Sequence, residues 1–150
     1  MPDLNLSDFA DRMNEIIPVM MKEFGRRQAD GLFRVKITLP QLLLLNFINM
    51  QGESSMTSIA RFMHVSTAAM TGIVDRLVRD RYVVRVYDPQ DRRVIRVQLT
   101  AKGSELLKKI NQQRRQLIVK VFGKISAQER QEYLRIVLRI HDTLLKEEKA

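Results

Sequence analysis

A mainly α-helical fold with one small β-hairpin is predicted by three features of the sequence. Apolar residues recur at three- and four-residue spacing over most of the 150 residues, the signature of helices with one buried face. Two stretches depart from this spacing, Val83-Val84-Arg85-Val86-Tyr87 and Val94-Ile95-Arg96-Val97-Gln98-Leu99, where β-branched residues dominate and, in the second, Ile95, Val97 and Leu99 share one face. Between these stretches lies a charged turn, Asp88-Pro89-Gln90-Asp91-Arg92-Arg93, so the two strands read as a hairpin.

The first helix is expected to start at Ser7, a cap residue, and to carry Phe9, Met13, Ile16, Ile17, Met20, Met21 and Phe24 as a wide apolar stripe. Pro18 removes the bond to the Asn14 carbonyl and should kink it, and Asp30-Gly31 closes it. Thr38-Leu39-Pro40-Gln41 has capping-box spacing and opens a second helix to Met50, ended by Gln51-Gly52. A short helix over residues 58–63, started by Ser55 or Met56-Thr57, buries Ile59 and Phe62. His64-Val65 makes a turn, and Ser66 caps a helix running to Arg79. After the hairpin, Thr100 caps a long helix to Phe122 whose middle, residues 111–116, is entirely polar. Gly123 breaks it. Ser126-Ala127-Gln128-Glu129 is a second capping box and starts a last helix through about Glu147, with the final Lys146-Glu147-Glu148-Lys149-Ala150 expected to fray.

Composition narrows the function. Lys and Arg number 26 against 17 acids, a formal charge of +9, which favours polyanionic partners such as nucleic acid. The absence of cysteine excludes disulfides, thiolate catalysis and thiolate metal sites. Met1-Pro2-Asp3-Leu4-Asn5 lacks the layout of a signal peptide, and Leu42-Leu43-Leu44-Leu45 is far too short to span a bilayer. The expectation is a cytoplasmic protein that does not bind membranes and needs no cofactor.

Two short helices joined by a tight turn and followed by a charged hairpin make a winged helix-turn-helix. A helix fits the major groove of B-DNA, and an arm reaches the neighbouring minor groove. On the helix after Ser66, Met70, Ile73, Val74 and Leu77 share one face, while Ala68, Thr71, Gly72, Asp75 and Arg79 lie opposite. That opposite face is small in its first two turns, as close approach to base edges requires. Thr71 offers a hydroxyl and a methyl for base contact. Ser66 and Thr67, at the helix start, suit a phosphate. An ordinary solvated amphipathic helix has the same pattern, and the hairpin is what favours DNA.

Leu39-Pro40-Gln41, Ile59-Ala60, Val65-Ser66 with Val74-Asp75-Arg76-Leu77, the Asp88-Pro89-Gln90-Asp91-Arg92-Arg93 turn and Leu99-Thr100-Ala101-Lys102-Gly103 together resemble the MarR (multiple antibiotic resistance regulator) family, over nearly the whole chain. The resemblance implies a single domain over residues 1–150, with the winged helix-turn-helix at about 38–103 and dimerisation helices at about 7–29 and 104–147. It implies a homodimer on a palindromic operator, acting as a transcriptional repressor. Arg93 would enter the minor groove, Asp91 would brace the tip by pairing with an arginine, and Arg92 would meet a phosphate. Arg76 matches a position near the DNA backbone; pairing with Asp75 or Asp80 is the alternative. Two departures stand out, since the family commonly has glycine where this chain has His64 and Arg81. Both are expected in the left-handed region, at a cost of order 1 kcal/mol for a side chain, which a phosphate contact from Arg81 would offset. Gly72 leaves a gap where some relatives place a base-reading arginine.

Other readings remain at this stage. Neither His64 nor His141 has a nucleophile beside it, so catalysis has no support. A winged helix for protein contact would not need an arginine-tipped hairpin. A metal-sensing regulator would need His141, Asp142 and His64 to join acids across a dimer, and no ligand-spaced cluster exists. The Met13, Ile17, Met20, Met21 and Phe24 stripe is either dimer core or the lining of a pocket for a small aromatic or phenolic effector.

Overall fold

The computed structural model describes residues 4–31 and 37–147. The Met1-Pro2-Asp3 start and the Glu148-Lys149-Ala150 end fall outside them. Among the described residues six helices and three short strands follow in the order α1 (Leu6–Gly31), α2 (Leu39–Gln51), β1 (Ser54–Ser55), α3 (Met56–Phe62), α4 (Thr67–Arg79), β2 (Val83–Tyr87), β3 (Ile95–Leu99), α5 (Ala101–Phe122) and α6 (Ala127–Glu147). The chain divides into two units, Met1–Gln113 and Arg114–Ala150. The division falls inside the polar middle of α5. No helix among the described residues is long and apolar enough to cross a membrane.

In the first unit the core is drawn from every element of the helix-turn-helix and wing. Leu44, Leu45 and Ile48 of α2 meet Ile59 of α3, and Met70, Val74 and Leu77 of α4. Val83 and Val97 of the sheet and Leu106, Leu107 and Ile110 of α5 complete it. Nearly all are inaccessible to solvent, so truncating any of the large ones to alanine costs about 2–5 kcal/mol. The sheet has the order β1-β3-β2 and is antiparallel throughout. Val83 faces Leu99, Arg85 faces Val97 and Tyr87 faces Ile95. The hairpin is as expected, but the two-residue strand β1, pairing Ser54 with Val97, is an addition.

The local signals mostly hold. Thr38 and Gln41 close a reciprocal capping box at 3.4 and 2.9 Å, and Ser126 and Glu129 close another at 3.2 and 2.7 Å. These bonds hold the Glu129 carboxyl below its usual pKa. Three details differ. The cap of α1 is Asn5, whose Oδ1 accepts the Asp8 N–H at 2.9 Å, because Asp8 fastens the Asn5 amide in turn. The helix α3 starts at Met56, capped by Ser55. Phe62 is 46 % exposed and stacks on Phe47 with ring centroids 4.3 Å apart instead of entering the core. The assigned helix α1 runs through Pro18.

In the second unit, α6 buries no residue. Tyr133, Val137, Ile140 and Leu144, spaced as one stripe, stay exposed, and so do Leu134, Leu138 and Leu145 beside it. Arg130 donates to the carbonyls of Phe122 and Ile125, tying the helix start to the preceding turn. Phe122 and Tyr133 meet at 5.1 Å. In α1, which has the same character, Leu6, Phe9, Ile16, Val19 and Met21 are exposed.

Candidate nucleic-acid interface

The recognition surface begins with two helix ends of the same construction. At the end of α3, the Val65 N–H reaches the Ala60 carbonyl at 3.1 Å and the His64 N–H reaches that of Arg61 at 3.2 Å. At the end of α4, the Tyr82 N–H reaches Leu77 at 2.9 Å and the Arg81 N–H reaches Val78 at 3.0 Å. Both are Schellman motifs, which need a left-handed residue after the cap. His64 has φ +52° and Arg81 has φ +63°, so the two side chains stand where glycine is favoured, as the sequence comparison with the family led one to expect.

Between these ends, Met70, Val74 and Leu77 are buried while Thr67, Ala68, Thr71, Gly72, Asp75, Arg76 and Arg79 are exposed. The amphipathic division is the one the spacing predicts. Ser66 accepts the Ala69 N–H at 3.1 Å, leaving the N–H groups of Thr67 and Ala68 at the positive end of the helix dipole. Thr71 Oγ1 donates to the Thr67 carbonyl at 2.9 Å, so the hydroxyl is left to act outward as an acceptor and the methyl stays available. A Cβ placed on Gly72 meets no atom within 4 Å. Nothing inside the protein requires glycine there.

Charges on this face are sorted rather than mixed. Asp75 is paired with Arg85 of β2, and Asp80 with Arg79 at 3.4 Å. Both acids named as surface partners for Arg76 are therefore taken, and among the described residues no ion pair holds the Arg76 guanidinium. The wing tip shows the same economy. Asp91 does not pair with an arginine side chain; its Oδ1 accepts the backbone N–H of Arg93 at 3.0 Å. The arginine–carboxylate pair belongs instead to Asp88 and Arg96, at 3.1 Å. Eight residues apart, they meet only because of the hairpin register.

Asp88 also accepts the N–H groups of Gln90 at 2.8 Å and Asp91 at 3.3 Å. The Gln90 bond first, the Arg96 bond second and the Asp91 bond after them hold its carboxyl below the usual carboxylate range. Arg96 lies 3.6 Å from Glu53 as well, and Glu53 accepts from Gln98 at 2.5 Å. The two acids of the turn thus fix its backbone, and the Arg92 and Arg93 side chains are exposed, with no ion pair to either among the described residues. Sequence reasoning missed Asp88, Arg96, Glu53 and Arg85. The Asp-Pro pair at 88–89 is the one local signal that marks a turn anchored by a side chain.

The effector residues are less well placed. Met13, Ile17, Met20, Met21 and Phe24 all lie on α1, with Met21 69 % exposed and Met13 and Phe24 partly buried. The cavity along Ile136–Glu147 of α6 and the one between Ile48 and Ser104 are lined by none of them. His141 hydrogen-bonds its neighbour Asp142 at 3.2 Å, and no group of three metal-ligating side chains is gathered among the described residues.

Comparison with known proteins agrees with this geometry. Residues 37–95 match the model of the MarR family. The HTH-type transcriptional repressor YetL of Bacillus subtilis is 31 % identical over 124 residues, 83 % of this chain and 65 % of that protein. Among solved structures, a MarR family protein from Bacillus stearothermophilus superposes with a TM-score of 0.80 at 20 % identity, covering 94 % of this chain and 99 % of the other. A mutant MarR from E. coli complexed with operator DNA has a TM-score of 0.68 at 21 % identity, covering 91 % and 98 %. With its recognition helix, arginine-tipped wing and helical flanks, this chain carries a MarR family winged helix over residues 37–95 and is similar to transcriptional regulators of that family.

Proposed function

We propose that the protein is a homodimeric repressor that binds a palindromic operator, each chain acting as one domain over residues 1–150. The observation that carries this reading is the pairing of a small, exposed α4 face with a wing tip whose backbone Asp91 holds and whose Arg92 and Arg93 are exposed. Thr71, Gly72 and Ala68 meet base edges in the major groove. Ser66 and Thr67, through the helix N-terminus, and Arg76 meet phosphates. Asp91 presents Arg93 to the minor groove, and Arg92 lies against the backbone.

Dimerisation is supported by the apolar faces of α1 and α6, which a single chain leaves in water. Their extent far exceeds scattered surface residues, and a second copy covers them. Two recognition helices then sit about 34–36 Å apart, one turn of DNA. Repression follows from occupancy of the promoter. A small aromatic or phenolic effector seated among Met13, Ile17, Met20, Met21 and Phe24 in the dimer relieves it; tenfold weaker DNA binding needs about 1.4 kcal/mol of differential binding.

Selection of bound DNA from a random library, followed by mobility-shift titration at several salt concentrations, tests the reading. A palindrome whose affinity falls steeply with salt is expected. Failure to enrich any sequence would remove it. Titrating simple phenols and benzoates into the protein–DNA complex tests the effector, which is abandoned if none shifts the DNA affinity.

A further inference from the structure

The first turn of α5 is fastened to the C-terminal end of α4 by contacts outside the DNA face. Three consecutive carbonyls take part. Lys102 Nζ donates to Asp80 at 2.9 Å, Thr100 Oγ1 donates to Arg81 at 2.6 Å, and the Thr100 N–H donates to Tyr82 at 3.1 Å. The Lys102 ammonium also sits 4.7 Å from the centre of the Tyr82 ring. It brings positive charge to the negative end of the α4 dipole.

Gly103 closes the arrangement. A Cβ there would stand 2.0 Å from the Tyr82 carbonyl oxygen and 3.3 Å from Leu99 Cδ2, so any side chain would drive α5 away from the α4–β2 junction. Thr100 Oγ1 accepts the Gly103 N–H at 3.0 Å, as an ordinary helix cap does. Capping accounts for that bond alone. It does not account for donation to Arg81, for a lysine reaching back 22 residues to Asp80, or for a glycine buried against Tyr82.

We propose that Thr100, Lys102 and Gly103 form a clamp that sets the tilt of the recognition helix, as positioning residues that never touch DNA. The inference rests on the DNA-binding reading of α4. At 1.5 Å per residue, α4 places Thr67 about 18 Å from the clamped end, so a tilt of roughly 3° moves the reading end by about 1 Å. Side-chain contacts to bases tolerate errors of only about half that.

Operator affinity and its salt dependence are measured for Thr100→Val, Lys102→Met, Gly103→Ala and Thr100→Ser, with amide hydrogen exchange at Tyr82 and Thr100 and the folded fraction determined for each. The first three are expected to weaken binding about three- to tenfold, the scale of one lost hydrogen bond, with an unchanged salt slope and faster exchange. Thr100→Ser keeps the hydroxyl and should bind like the wild type. A slope reduced by about one in Lys102→Met would make that lysine a phosphate contact and overturn the clamp. Unaltered affinity in the folded Val and Met variants would overturn it too, while leaving the DNA reading intact. A wild type that binds no DNA removes the reading and the clamp together.

Discussion

At the scale of single residues, Gly72 separates stability from function. A glycine inside a helix costs about 0.8–1 kcal/mol relative to alanine, and open space surrounds this one. Gly72→Ala is therefore expected to raise the unfolding free energy by roughly 0.5–1 kcal/mol. It should also weaken operator binding by about 1–3 kcal/mol, the scale of one spoiled base contact. Denaturant titration and mobility shift on one preparation measure both, and a variant improved in both would end the close-approach argument. Arg93 and Arg76 are expected to differ in kind. Arg93→Ala should cost about 1–3 kcal/mol of operator affinity with the dimer intact, whereas Arg76→Ala should lower the salt slope by about one on every sequence. Equal effects on specific and random DNA for both variants would deny Arg93 its groove.

At the scale of elements, the wing is a backbone held by two aspartates. The carboxyl of Asp88 is held low in the folded chain, so its contribution is complete above the unfolded pKa and fades as the pH falls through the folded one. Acidification below the usual carboxylate range should speed exchange at the Gln90 and Asp91 amides, and Asp88→Asn should largely abolish that dependence. An unchanged profile in the variant would assign the titration elsewhere. Much of this element was legible in sequence. Period-two alternation located the strands, capping boxes located two helix starts, and the spacing of Met70, Val74 and Leu77 located the reading face. Where reading failed, the information was not local. Asp88 and Arg96 meet through hairpin register, and two residues at Ser54–Ser55 are too few to show alternation. A seven-residue helix does not fix whether Phe62 turns inward. Asn5 and Ser7 are both good caps, and Asp8 decides between them.

At the scale of the whole molecule, α1 and α6 expose apolar stripes that only another surface can satisfy. Leu138→Glu on α6 is expected to yield a monomer by sedimentation and to weaken operator binding by 100-fold or more, on the order of the second half-site's contribution. A dimer that survives this change would place the interface off that face. The Met-rich stripe of α1 is largely exposed in one chain, and the choice between dimer core and pocket lining depends on a partner surface that a single sequence does not show.

The left-handed backbone at His64 and Arg81 has a consequence for how the protein responds to selection. A survey for heat resistance alone, blind to DNA, is drawn to glycine at these positions, each substitution being worth about 1 kcal/mol or roughly 2–4 °C in a chain of this size. Arg81→Gly is expected to melt higher and repress less, since the exposed guanidinium leaves with the strain. If it melts higher and represses fully, the arginine is a historical remnant rather than a retained contact. Thermal selection and repression assays run on the same library thus read out which departures from glycine are kept for a purpose.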